Sequence, residues 1–343
     1  MNHIKAASFH NNHFDSIQAL RGIAALFVVL EHVRFLTCGA FGVDIFFCIS
    51  GFMIMYTTHT QGTKHFLSKR LIRIVPLYYL MTLGTFLLLL FFPAMFQQTR
   101  AEISYLLKSL LFIPFDIGNG IIQPLVRIGW TVNCEMLFYL LFFLSMHISH
   151  KYRGAICSFF LGTLVLLAKL LPVSTPILLF YGNPVMLEFI FGIVCYYAAW
   201  GIYKLYSSKQ LSFVWLPLSI CTLLGLFAFL IVSKSHINIL GFRRLLYWGL
   251  PGMIIVLSAF VMGLYVKMPR FSVQLGNISF SLYLIHYYPI MLMDRMFFDF
   301  SVYTPLALFG VAVSLLLCIA LAYLSWYLIE QKLTGWLRRH LLS

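Results

Sequence analysis

Apolar runs long enough to cross a bilayer follow one another along almost the whole chain, separated by short polar clusters. A hydrocarbon core takes about 20 apolar residues per helical span. Hydropathy places such spans near 17–36, 42–59, 72–93, 129–147, 154–171, 177–200, 211–232, 245–265, 275–295 and 303–328. The pattern predicts an all-α fold, a polytopic integral membrane bundle of about ten transmembrane helices. The longest connection runs from Ala94 to Ile128, and within it Ile103 to Phe112 is two-sided, as in an amphipathic helix lying on the interface. The polar tail, about residues 1–15, shows no signal-peptide cleavage pattern, so the first apolar run is expected to be retained as a span. There are no internal repeats, and one membrane domain is expected over 1–343 with no extra soluble domain.

Composition sharpens this reading. The chain is 61% hydrophobic and 10% charged, with mean hydropathy +0.91, far from the range of soluble domains. The net charge of +14 does not point to nucleic acid, because Lys and Arg sit in short clusters between apolar runs, where membrane topology places them. With both termini cytoplasmic, 14 of the 24 basic residues lie on the inner side and 9 on the outer, with Arg21 inside the first span. That asymmetry favours cytoplasmic termini. Arg243 and Arg244 fall on the disfavoured side, which fits either an anionic ligand or two snorkelling interface arginines. Seven Cys lie in or beside apolar segments without metal-like spacing and read as small buried hydrophobes; no metal is expected.

An ionisable residue inside a span is costly and marks a candidate site. In the first span Arg21 and His32 stand eleven residues apart, about three turns, which puts them on one face and roughly 16 Å apart along the axis. Asp44 opens the second span and Glu135 lies about two turns into the fourth. Both of those spans run inwards from the outside, so both carboxylates are expected near the depth of His32. A neutral imidazole with a carboxylate to orient it is a general base suited to neutral pH. The competing reading is hydrogen-bonded packing pairs, with Asp44 serving only as a helix cap. At the third span, Arg70 and Arg73 project from one helical face as a fork suited to phosphate or as a positive-inside anchor. Ser50-Gly51, Gly129-Trp130, and Asn277, Ser279, Ser281 and His286 of the ninth span add small or polar groups where backbones or ligands approach. Glu188 and Glu330 near helix ends read as structural partners of basic residues, and Glu31 either raises the basicity of His32 or faces a partner of its own.

These residues occur in an ordered set that resembles the acyltransferase-3 family of membrane acyltransferases, closest to the branch that O-acetylates bacterial exopolysaccharides and O-antigens. Ile17–Ala25 with His32 looks like the family's opening helix. Gly42–Gly51 (GVDIFFCISG) is similar to its second-helix motif and Phe66–Pro76 (FLSKRLIRIVP) to its basic helix start. Trp130–Tyr139 (WTVNCEMLFY) resembles the Trp-to-Glu motif, and Ile278–His286 (ISFSLYLIH) with Ile329-Glu330 the last two helices. The resemblance spans nearly the whole chain.

The resemblance implies transfer of an acetyl group from cytosolic acetyl-CoA, a co-substrate, to a hydroxyl of a cell-surface glycan or lipid-linked sugar, in contact with membrane lipid. It implies His32 as base with Glu135, and Asp44 beside them, as the catalytic set. Arg70 and Arg73 would hold the nucleotide phosphates, with Arg21 and Ser50 completing the donor-binding set. Many relatives carry an esterase-like domain after the membrane part, whereas this chain stops about ten residues past Glu330. The rival class is a proton-coupled secondary transporter, in which the same His and Glu form a proton relay.

Overall fold

Helix is the only regular structure among the described residues of the computed structural model, which are residue 9 and residues 14–96, 99–118, 120–172, 175–233 and 241–342. Lys5, Lys234 and most of the N-terminal tail lie outside them. The helices run α1 (Asp15–Glu31), α2 (Gly42–Thr57), α3 (Phe66–Phe91), α4 (Ile103–Leu110), α5 (Trp130–Ile148), α6 (Arg153–Leu170), α7 (Pro176–Tyr181) and α8 (Glu188–Ser207). They continue as α9 (Trp215–Ser233), α10 (Phe242–Arg244), α11 (Leu250–Tyr265), α12 (Arg270–Asn277), α13 (Ser279–Ile285), α14 (Tyr287–Met296), α15 (Pro305–Ser325) and α16 (Thr334–Leu341). A π-helical stretch, Leu245–Gly249, joins α10 to α11, and another, Trp326–Leu333, joins α15 to α16.

The protein is a multi-pass membrane protein, and among the described residues seven helical stretches are long and apolar enough to cross a bilayer. The other three of the ten expected spans fall short of that length, two as short helices and one as a broken one. The first ends at Glu31 after 17 residues, where 17–36 was expected, and leaves His32 in the following turn. The second, Gly42–Thr57, is apolar but only 16 residues long. The ninth, expected at 275–295, is broken into α12, α13 and α14. These three segments carry Arg21, Asp44 and His286. Non-helical backbone at membrane depth requires protein or water rather than lipid as its neighbour.

Two compact units emerge. The first comprises residues up to 31, 36–62 and 187–279. In it α2 packs against α8 and α11, and α1 against α2, α11 and α12. Small residues permit these crossings: a Cβ on Gly51 would meet the Phe189 carbonyl, and one on Gly192 would meet the Cys48 carbonyl, so α2 and α8 touch backbone to backbone. Gly22 of α1 and Gly276 of α12 repeat the device, a Cβ on Gly22 lying 2.8 Å from the Gly276 nitrogen.

The second unit comprises 32–35, 63–186 and 280–343. Here α5 packs on α6 and α3, and α14 on α15. The amphipathic helix expected at 103–112 forms as α4 and is pinned to α3: the Tyr78 hydroxyl donates to the Ser109 carbonyl at 3.2 Å and the Tyr79 hydroxyl to the Leu110 carbonyl at 2.9 Å. Phe112 then turns the chain with φ 58°, a conformation costly for a bulky residue. Its ring is stacked on Tyr78 and its carbonyl bonded by the Tyr181 hydroxyl at 2.7 Å.

None of the seven cysteines is in a disulfide; five are buried, Cys38 is half-buried and Cys221 is exposed on α9, so the expectation of burial within the protein holds for five of them. The backbone contact at Gly51 carries a test. Gly51→Ala should lower stability by about 1–3 kcal/mol through overpacking. Gly84→Ala, a helical glycine with no atom within 4 Å of its added Cβ, should leave it unchanged or slightly raised in thermal unfolding.

Candidate functional site

His32 follows the last turn of α1 and belongs to the second unit because its short segment is bound there three times over. The His32 Nδ1 lies 3.1 Å from Nε2 of His286, which is fully buried at the break between α13 and α14. The Arg34 guanidinium bonds Asp294 at 2.8 Å and Asp299 at 3.0 Å. The Phe35 ring meets those of Phe300 and Tyr303. Hydrogen bonding to Asp294 raises the basicity of Arg34, and hydrogen bonds from Ser301 hold the Asp299 carboxyl below its ordinary pKa. Tyr287 stands edge-on to the His32 ring at 5.6 Å.

The helix that carries Glu135 is tied to the same break. The Tyr283 hydroxyl donates to the Ile128 carbonyl at 2.9 Å and accepts from the Thr131 hydroxyl at 2.8 Å, so α13 is fixed against the start of α5. Thr131 and Glu135, one turn apart, share a face of α5. Glu135 accepts a hydrogen bond from Tyr139, whose ring lies 5.1 Å from the Arg70 guanidinium. One tyrosine therefore separates the arginine expected at the cytoplasmic mouth from the carboxylate expected in the outer third. Arg70 also lies over the Phe66 ring, and Arg70 and Arg73 are both half-buried. Asn133, fully buried with neither amide atom hydrogen-bonded, points from another face of α5, two residues from Glu135.

In the first unit, Asp44 is fully buried and gripped by Arg244, whose Nε and terminal nitrogen each bond one carboxylate oxygen at 2.9 Å. The arginine on the disfavoured side thus has a carboxylate of its own chain as partner, while Arg243 is exposed. Glu188 is also fully buried and interacts with Asp44 and Arg244. Arg21 donates to Gln18 at 3.3 Å, and Gln18 donates to Asn277 of α12 at 2.9 Å. Ser50 is half-buried beside Gly51 on α2. Glu31 accepts from the backbone N–H groups of Gly39 and Ala40 at 2.9 and 3.1 Å, so it faces a partner in the loop. Glu330, in the second unit, accepts from Ser281 at 2.6 Å.

Sequence reasoning named His32, Glu135, Asp44 and the arginines as candidates, and the structure pairs His32 with His286, Glu135 with Tyr139 and Asp44 with Arg244. Two of these partners left a signal in the sequence, His286 as an ionisable residue deep in an apolar span and Arg244 as an arginine on the side that the charge asymmetry disfavours.

Residues 14–323 match the family model described as an acyltransferase domain. The chain is similar to the exopolysaccharide production protein ExoZ of Rhizobium meliloti, at 29% identity over 81% of this chain and 85% of that protein. It is also similar to the O-acetyltransferase OatA of Staphylococcus aureus, at 24% identity over 92% of this chain and 56% of that protein. The peptidoglycan O-acetyltransferase OatA of Listeria monocytogenes matches at 27% identity over 40% of this chain and 25% of that protein. No solved structure matches.

The Asp44–Arg244 pair gives an asymmetric prediction, since Asp44 is fully buried and the Arg244 side chain is 20% exposed. Arg244→Ala strands a buried carboxylate and should cost about 3–5 kcal/mol. Asp44→Ala leaves a guanidinium that can reach water and should cost less, as read by thermal unfolding of the two variants side by side.

Proposed function

Because the chain belongs to the acyltransferase-3 family, we propose that it is a membrane O-acetyltransferase that moves an acetyl group from cytosolic acetyl-CoA to a hydroxyl of a bacterial surface glycan or lipid-linked sugar. The observation that carries the reading is the hydrogen-bonded imidazole of His32, held in the unit that also contains Glu135, Arg70 and Arg73. Relatives named for exopolysaccharide production and for peptidoglycan O-acetylation support a glycan as acceptor.

Arg70 and Arg73 bind the phosphates of the donor, for which two guanidiniums one turn apart supply charge-assisted hydrogen bonds. His32 takes the proton of the acceptor hydroxyl as its oxygen attacks the thioester carbonyl. The tetrahedral intermediate collapses with loss of the thiolate, and the imidazolium returns the proton to give free CoA thiol and the O-ester. Glu135 orients the acceptor or stabilises the imidazolium. A family of acyltransferases is a better account of these residues than proton-coupled transport, which would require the His and Glu but no phosphate-binding fork.

Detergent-purified variants test the assignment by thiol release from acetyl-CoA in the presence of glycan acceptor. His32→Ala should lose at least about 10²–10⁴-fold in kcat while still binding acetyl-CoA. The Arg70→Ala/Arg73→Ala pair should raise KM for acetyl-CoA at least about tenfold, as expected for hydrogen bonds to charged groups. Undiminished kcat in a folded His32→Ala protein would remove His32 from the mechanism.

A further inference from the structure

We infer that His286 is a positioning residue that holds His32 in the tautomer with its proton on Nδ1, and so presents Nε2 of His32 as the basic atom. The inference rests on the reading of His32 as the base and deepens it.

The argument starts from a carbonyl. The Nδ1 of His286 lies 3.1 Å from the Leu282 carbonyl oxygen, which can only accept, so this nitrogen carries a proton. A neutral imidazole has one N–H and one acceptor nitrogen. A second proton on a fully buried ring, whose hydrogen-bond partners are backbone carbonyls and another imidazole with no carboxylate among them, would be an unpaired internal cation. Nε2 of His286 is therefore an acceptor, and Nδ1 of His32, 3.1 Å away, is its donor. The lone pair of His32 is then on Nε2.

Three contacts keep the relay in place. Tyr283 anchors α13 to Ile128 and Thr131 at the start of α5. The Cys318 thiol of α15 approaches the His286 carbonyl at 3.7 Å. Tyr287 stands edge-on against the ring of His32. The break between α13 and α14 thus turns one imidazole onto another. When His32 takes a proton on Nε2, its Nδ1–H becomes a charge-assisted donor to His286 and the bond strengthens. His286 does this as a neutral acceptor, where serine hydrolases use a carboxylate to fix the tautomer of their histidine.

The test compares His286→Leu with His286→Gln in acetyl transfer by detergent-purified protein. Glutamine can accept from His32 through its amide oxygen and donate to Leu282 through its amide nitrogen; leucine can do neither. The leucine variant should lose at least about 10²-fold in kcat with KM for acetyl-CoA unchanged, and the glutamine variant should recover to within about tenfold of the parent. Equal kcat in the parent and the leucine variant would overturn the inference. His32→Ala run alongside separates the two claims: its undiminished turnover would remove His32 as base, whereas its loss with leucine fully active would remove only His286. Nitrogen-15 NMR of histidine-labelled parent protein in lipid bilayers decides even where the leucine variant does not fold. A protonated Nδ1 and an unprotonated Nε2 on His32 support the inference, and the reverse tautomer overturns it.

Discussion

An ionisable side chain placed among lipid-like surroundings has to find its partner inside the protein, because hydrocarbon offers neither water nor a counter-charge. The motif residues meet that demand with hydrogen bonds to one another's neighbours. Asp44 is held by Arg244, Glu135 by Tyr139, Glu330 by Ser281 and His32 by His286. Each such bond fixes a helix as well as a charge. The Tyr283 bridge to Ile128 and Thr131 stops α13 against α5, and the broken backbone that follows can then deliver His286.

The same demand divides the helices by shape. In Trp215–Ser233, which is uninterrupted and strongly apolar, only 17% of the most apolar stretch is buried by the rest of the protein, whereas in Arg127–Ile148 the figure is 56%. The segments that bear Arg21, Asp44 and His286 are short or interrupted, because a chain surrounded by protein can end a helix early without exposing its amide groups to lipid. Chemistry and irregular backbone coincide for that reason.

This division also marks what could be read from the chain. Long apolar runs announced themselves through hydropathy, and the amphipathic pattern of Ile103 onward announced α4, since both depend on local sequence. The ends of α1 and the breaks around α13 did not, because they depend on what lies beside the backbone. Candidate charges stood out against apolar surroundings, so His32, Asp44, Glu135, Arg70 and Arg73 could be named. Which residues they pair with could not, because the bonds span 254 positions between His32 and His286 and 200 between Asp44 and Arg244. Glu188, read as the partner of a basic residue, does interact with Arg244, but it also faces a second carboxylate. It lies buried beside Asp44, an arrangement for which local sequence carries no signal.

The most direct test of the proposed activity uses the unaltered chain. Purified protein in lipid nanodiscs is given radiolabelled acetyl-CoA and a hydroxyl-bearing glycan acceptor, and the label is followed into base-labile O-esters alongside released thiol. Equal amounts of ester on the acceptor and free CoA are the expected result. A folded protein that neither binds nor cleaves acetyl-CoA, but moves protons when reconstituted in vesicles, would contradict the acyl-transfer account and favour the transporter.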